Sequence, residues 1–155
     1  MSNYPLVIER VFDASVSKVW EALTINDLMK KWYFVLPDFK AEVGFEFTFT
    51  GGADDQHMYT HLCRIIEVVP YKKLAYSWRY EGYPGYSTVS FELFDNDGKT
   101  RVILTHTGLD SFEHINPDFA KKNFELGWAS IMDHSLKTYV ESEMVKQSGS
   151  MMQNE

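Results

Sequence analysis

The alternation of apolar and polar positions divides this chain into a mixed opening segment, a long run of two-residue repeats and a final stretch of helical spacing. The last is the longest single pattern. From Asn116 to roughly Val145, steps of about 100° per residue set Phe124, Trp128, Ile131, Ser135 and Tyr139 on one face, flanked by Gly127, Met132 and Leu136. Ser130, Asp133, His134, Lys137 and Glu141 fall on the opposite side, as a water-facing surface requires. Asn116 is placed to cap this helix, Pro117 suits its first position, and Asp118 brings negative charge to the positive end of the dipole. A helix of about 30 residues spans about 45 Å. An apolar stripe of that length needs a broad surface to cover it.

The preceding residues predict such a surface. Leu6 to Phe12, rich in β-branched and aromatic side chains, reads as a first strand. Ser15 offers an N-cap to a short helix in which Val16, Val19, Trp20 and Leu23 recur at helical spacing, and Asn26 opens a second, from Asp27 to about Trp32. Phe45, Phe47 and Phe49 then alternate with Glu46, Thr48 and Thr50. After a loop through Gly51-Gly52 and Asp54-Asp55, Met58 to Val69 reads as a long strand ending at Pro70. Leu74, Tyr76, Trp78 and Tyr80 alternate with Ala75, Ser77, Arg79 and Glu81, and Val89, Phe91 and Leu93 repeat the pattern. Asn96-Asp97-Gly98 is a hairpin signal, after which Arg101 to Thr107 returns with Val102, Leu104 and His106 on one side. Gly108 to Ile115 reads as a loop leading into the long helix.

The predicted architecture is therefore α+β: a curved antiparallel sheet of about six to seven strands wrapped around the C-terminal helix, with two short helices after the first strand. Residues 1–146 are expected to form one domain and 147–155 a small, polar, flexible tail. A helix and a curved sheet need not meet along their full length, so a pocket between them is expected.

Composition sharpens this picture in two ways. Aromatic residues make up 15% of the 155 positions, and a supply of 11 Phe, 9 Tyr and 4 Trp requires either an aromatic core or an aromatic cavity. The net charge of −7, from 15 basic and 22 acidic residues with no basic run, disfavours nucleic acid and stable membrane association. No secretory pattern opens the chain, no apolar run approaches about 18 residues, and the lone Cys63 cannot close an internal disulfide. A cytoplasmic location is the expectation.

Strand parity and the helix stripe place Trp78, Tyr80, Phe91, His106 and Trp128 nearest such a cavity, with Phe47, Tyr76 and Phe124 on the same faces. His106, Tyr76 and Tyr80 would be its polar handles. A hydrogen-bonded core histidine explains His106 equally well, and apolar periodicity by itself reports burial. Gly127, beside Trp128, would either widen the cavity or allow close helix approach, so Gly127→Leu is expected to weaken ligand uptake. Arg64, on the parity of Leu62, Ile66 and Val68, is either a partner for a ligand carboxylate or a solvated or locally paired arginine. His57 and His61 would lie about 13 Å apart along a strand, too far for a shared ion, and Cys63 has no second cluster to complete a metal set. H-E-x-x-H, C-x-x-C, G-x-S-x-G, Walker and G-x-G-x-x-G motifs are absent, so neither a metal nor a cofactor is expected. Asp110, Glu113 and His114 precede the helix and read as solvated loop residues within reach of a cavity mouth.

Three segments, VFDASVSKVWEALTINDLMKKW, RIIEVVPYKKLAYSW and GWASIMDHSLKTYVES, occur in an order that resembles the activator-of-heat-shock-protein-90-ATPase homologue branch of the START-like, or birch-pollen-allergen-like, helix-grip superfamily. The resemblance covers about Leu6 to Ser142. It implies a curved sheet gripping the last helix around a hydrophobic cavity that takes lipids, sterols or polyketides in various relatives. Val16 stands where the family usually has proline, a small loss at a first helical position. Three functions follow as expectations. The leading one is non-catalytic binding of a small hydrophobic or aromatic ligand. The second is a cyclase- or hydrolase-type enzyme on polyketide-like or aromatic substrates, with His106 or Tyr80 transferring a proton. The third is an interaction module that contacts a chaperone or forms a homodimer through a sheet edge or through WYFVL, Trp32 to Leu36.

Overall fold

A computed structural model of the chain describes residues 5–25, 28, 39–52, 58–112 and 115–142. Six strands form one antiparallel sheet: β1 (Leu6–Phe12), β2 (Glu46–Gly52), β3 (Met58–Val69), β4 (Lys73–Tyr80), β5 (Ser87–Asn96) and β6 (Lys99–Thr107). Their order is β1-β6-β5-β4-β3-β2, so the last five strands make a meander and the first strand returns beside the sixth, Leu6 opposite His106. Helix α1 (Val16–Thr24) connects the two edges; its Ser15 cap accepts from the Lys18 amide, and Val19, Trp20, Ala22 and Leu23 are buried. The second short helix expected after Asn26, and the WYFVL segment, fall outside the described residues apart from Leu28.

Local sequence accounts for the sheet's curvature and register. Asp97 and Gly98 both adopt positive φ, 54° and 87°, the geometry of a tight hairpin whose twist matches that of its strands. Along β3, Tyr59, His61, Cys63 and Ile65 point inward, and then the register slips between Ile65 and Glu67. The extra residue leaves Ile66 and Glu67 both exposed and bends the strand. At the other side of this pair, Gly51 and Gly52 were expected in a loop; they extend β2 instead, opposite Tyr59 and Met58. One hydrophobic cluster runs through the described residues, from Leu6 on β1 to Val140 near the chain's end.

The C-terminal helix starts later than its capping signals predict. Asn116 Oδ1 does accept the Asp118 amide at 2.9 Å, yet the turn it caps is a 3₁₀ segment, Pro117–Phe119. Ala120 is extended, with ψ 145°, and the helix proper begins at Lys121. The loop expected at residues 108–115 likewise holds a 3₁₀ turn, Leu109–Phe112. We number the helix, residues 121–140, as α2: it is α-helical over Lys121–Ser130, π-helical over Ile131–Leu136 and α-helical again over Lys137–Val140.

The π segment changes which residues face the sheet. Phe124, Trp128, Met132, Leu136 and Val140 are buried, each four residues from the last. In an ideal α-helix a four-residue step overshoots the turn by about 40° and the stripe would spiral away from the sheet. Bonding from i to i+5 winds the middle more loosely, so the four-residue repeat stays in line. Ile131, Ser135 and Tyr139, expected on the buried face, are displaced to half-buried flanks. Arg10 of β1 pairs with Asp133 of α2 at 2.6 Å, and Glu141 accepts the Asp13 amide at 2.7 Å, holding the helix across the sheet's first edge. No helix among the described residues is long and apolar enough to cross a membrane.

Gly108 sets where β6 leaves the sheet. Its φ is 87°, and a Cβ there would lie 2.7 Å from the Tyr86 carbonyl oxygen and 3.1 Å from the Ser87 Cα. Because both obstacles are backbone, Gly108→Ala is expected to cost about 2 kcal/mol through strain and displacement at the start of β5. Urea unfolding of that variant should show a lower midpoint with an unchanged slope.

Candidate functional site: an aromatic wall between helix and sheet

The inward parity of β2, β3, β4, β5 and β6 delivers one aromatic side chain after another to the face that α2 covers. Phe47 meets Tyr76 edge-on at 5.3 Å, Phe49 meets Trp78 at 5.7 Å, and Trp78 meets Trp128 of α2 at 5.4 Å. Phe91 lies edge-on to Trp128 at 5.9 Å, and His106 edge-on to Phe124 at 5.3 Å. Such pairs contribute about 0.5–1.5 kcal/mol each beyond simple burial. Trp78, Tyr80, Phe91, His106, Trp128, Tyr76, Phe124 and Phe47 are all buried here, and the structure brings these eight expected residues onto one wall.

Two expected residues are elsewhere. Arg64 is exposed on the outer face of β3, because the inward parity belongs to His61, Cys63 and Ile65. It cannot meet a ligand held under α2. Gly127 lies on the outer side of α2, where an added Cβ would touch nothing within 4 Å. It neither widens a cavity nor admits close approach, and Gly127→Leu would add a side chain to open space rather than obstruct uptake.

The wall is fastened by a hydrogen-bond chain. The Trp128 indole N–H donates to His106 Nδ1 at 3.0 Å, and His106 Nε2 lies 2.9 Å from Ser87 Oγ, whose own proton goes to the Trp78 carbonyl at 2.8 Å. An indole can only donate, so Nδ1 must be the acceptor; Ser87 has spent its one proton, so Nε2–H must donate to it. Both constraints select the same neutral tautomer. Burial drives the His106 pKa down to about 3, in keeping with a ring that cannot take a second proton without breaking a bond. Sequence reasoning missed Ser87, although the two-residue repeat of Val89, Phe91 and Leu93 continues back to it.

His61 is the other buried histidine on this side. It stacks on Phe49 at 4.3 Å, stands edge-on to Trp78 at 4.8 Å, and its Nδ1 lies 3.2 Å from the Phe49 carbonyl oxygen. Burial lowers its pKa to about 4 against the opposing pull of backbone hydrogen bonds with Phe49 and Tyr59. Tyr80 accepts the Trp78 indole N–H at 2.9 Å, and burial raises its pKa well above the ordinary tyrosine value. Burial raises the Cys63 thiol likewise. Neither His106 nor Tyr80, the two expected proton-transfer groups, is poised to ionise near neutral pH. Among the described residues no cluster of His, Cys, Asp and Glu could hold a metal ion. His57, Glu113 and His114 lie outside them, and Asp110 is exposed.

At the edge of the wall nearest the start of β3, Tyr59 and Tyr83 are half-buried around the buried Tyr80 and Phe119. Tyr80 stacks on Phe119 at 4.1 Å, and Tyr59 and Tyr83 stand edge-on to Phe119 at 4.9 and 5.2 Å. The Tyr59 hydroxyl donates to the Asp118 carboxylate, which raises its pKa, and accepts from Asn116 Nδ2 at 3.2 Å, which opposes that rise. The 3₁₀ turn before α2 is thereby tied to the start of β3. Tyr59 was readable from β3 parity, but Asp118 was assigned to a helix it does not enter.

This geometry agrees with solved structures. The crystal structure of MLL2253 from Mesorhizobium loti matches with a TM-score of 0.72 at 24% identity, covering 90% of this chain and 98% of that one. CV1439 from Chromobacterium violaceum matches with 0.73 at 22% identity over 92% and 100% of the two chains. CalU16 from Micromonospora echinospora matches with 0.67 at 24% identity over 94% and 82%. At these identities the likeness carries the fold alone. No curated protein matches the chain significantly. A family profile, Activator of Hsp90 ATPase homolog 1-like protein, matches residues 13–141, which contain α1, five of the six strands and all of α2. With the sheet gripping its last helix over the same residues, the chain belongs to the Activator of Hsp90 ATPase homolog 1-like protein family.

Proposed function

We propose that this protein binds a small hydrophobic or aromatic molecule between α2 and the sheet. The observation that carries the reading is the concentration of aromatic rings on the single wall under α2, running out to half-buried Tyr59 and Tyr83 at one edge. A flat apolar guest entering there exchanges ring–ring contacts for ring–guest contacts of the same kind, and it meets few groups that would need rehydration. His61 and His106 line the wall as neutral rings, so a guest meets no buried charge there. The family supports this reading at the level of fold, and the identity of the guest is left to experiment.

Native mass spectrometry of protein purified from its own host, followed by denaturing extraction, tests it. A reproducible small molecule should accompany the chain and be released more readily by Phe91→Leu, which thins the wall while leaving a core-compatible side chain. A bare chain in repeated preparations, or a guest retained equally by the variant, overturns the proposal.

A further inference from the structure

A concavity lies at the opposite end of β3 from Tyr59. It is a cleft of about 840 Å³ between the first turn of α1 and the tips of the β3–β4 and β5–β6 hairpins. Val16, Val69, Tyr71, Leu93 and Phe94 supply its apolar lining. Its lining comes within three residues of Tyr76 along β4 and two of Phe91 along β5, about 10 and 7 Å, whereas Trp78 lies about 16 Å from Lys73, so the cleft adjoins one end of the wall under α2 rather than its centre.

The turn that forms one side of the cleft is unusual in its choice of residue. The Lys72 amide donates to the Val69 carbonyl at 2.9 Å, with Pro70 second and Tyr71 third in the turn at φ 66°. That is the type II arrangement, in which the third position favours glycine. A tyrosine there costs about 1–2 kcal/mol of backbone strain. The ring it places over the cleft leans on Trp20 at 5.9 Å and is still 51% exposed. Val69 and Phe94 are exposed beside it, so three large apolar side chains gather at one concavity rather than scattering over the surface.

Charge at the rim then selects the guest. Lys73 pairs with Glu67 at 3.1 Å and stands opposite Glu92 in the sheet register. Asp95 accepts the Gly98 amide at 3.2 Å and closes its own turn. Lys73 and Asp95 thus have local partners, and Glu92 faces Lys73 across the strand pair without an ion pair among the described residues. Lys72 has no ion pair among the described residues, and the first turn of α1 carries no acidic side chain to oppose an anion.

We propose that this cleft is a second ligand site for a small aromatic molecule bearing a carboxylate, its ring held by Tyr71, Val69 and Phe94 and its carboxylate by Lys72. The test is a titration of the full, isotope-labelled chain with 2-naphthoate, followed through backbone amide shifts. Saturable shifts are expected at Val16, Ser17, Tyr71, Lys72 and Gly98, while the amides of Ser87, His106 and Trp128 stay in place. Lys72→Glu should weaken the apparent affinity at least fivefold. Tyr71→Gly, which relaxes the turn, should keep the fold and weaken binding to a similar degree. No saturable shift at the cleft, shifts confined to the wall under α2, or unchanged affinity in Lys72→Glu each overturn the assignment. Additional shifts at Ser87, His106 and Trp128 would report a guest under α2, and the cleft assignment is then read from the cleft amides and their response to Lys72→Glu alone.

Discussion

Replacing His106 with alanine is expected to lower the unfolding free energy by about 4 kcal/mol. Part of that loss is the cavity left by a fully buried ring, on the scale of other large-to-small core substitutions. The remainder is the Trp128 indole N–H, which loses its acceptor in a dry interior and costs about 1–3 kcal/mol. Ser87 loses a donor but keeps its bond to the Trp78 carbonyl, so its share is small. Trp128→Phe attacks the same bond from the other end and should cost about 2 kcal/mol, leaving His106 Nδ1 without its donor. The double variant should be more stable than the sum of the two losses predicts by about 1–2 kcal/mol, because no orphaned partner of that bond remains. Chemical unfolding of the four proteins measures this coupling. Strict additivity would mean that the bond does not fasten α2 to the sheet, and that His106 is available for other chemistry.

Much of this site was legible because a strand's two-residue period is rigid. Once Trp78 is placed on an inward face, Tyr76 and Tyr80 follow by counting along β4, as Phe91 does from Val89 and Leu93 along β5, and the structure places them there. Arg64 failed by the same rule: parity identified its companions, Leu62 and Ile66, but not which face they share, and the bulge beyond Ile65 let apolar residues sit on both faces. On α2 the assumption of a uniform 3.6-residue turn led to Ile131, Ser135 and Tyr139, whereas the four-residue series Phe124, Trp128, Met132, Leu136 and Val140 was present in the sequence all along. Only the π-helical winding makes that series a straight stripe, and nothing in local propensity announces it. Gly127 was assigned by adjacency to Trp128, although neighbours on a helix point about 100° apart. The Trp128–His106–Ser87 chain joins residues far apart in sequence, and only the assembled sheet brings them within hydrogen-bond distance.

Acidification from pH 7 to pH 5 is expected to remove about 4 kcal/mol of stability, with the two buried histidines as the cause. Unfolded, each ring titrates near 6.5; folded, burial holds His61 near 4 and His106 near 3. The folded pKa values are depressed, so at pH 5 the unfolded chain binds protons that the native state does not. Stability is therefore complete above about pH 6.5 and falls as the pH drops toward the folded values, at about 2 kcal/mol per histidine by pH 5. Asp133 and Glu141 contribute little in this window, since Arg10 holds the first below its ordinary value and, against the opposing effect of burial, Lys137 and the Asp13 amide hold the second below its own, so both protonate only in stronger acid. Urea midpoints at pH 7, 6 and 5 give the slope, and His61→Gln should remove about half of it while leaving the Trp128–His106–Ser87 chain intact. A midpoint that stays level from pH 7 to pH 5 would require both rings to accept protons inside the fold. For His106 that is incompatible with an indole donor on Nδ1, so a level profile would also place the Trp128 side chain somewhere other than against His106.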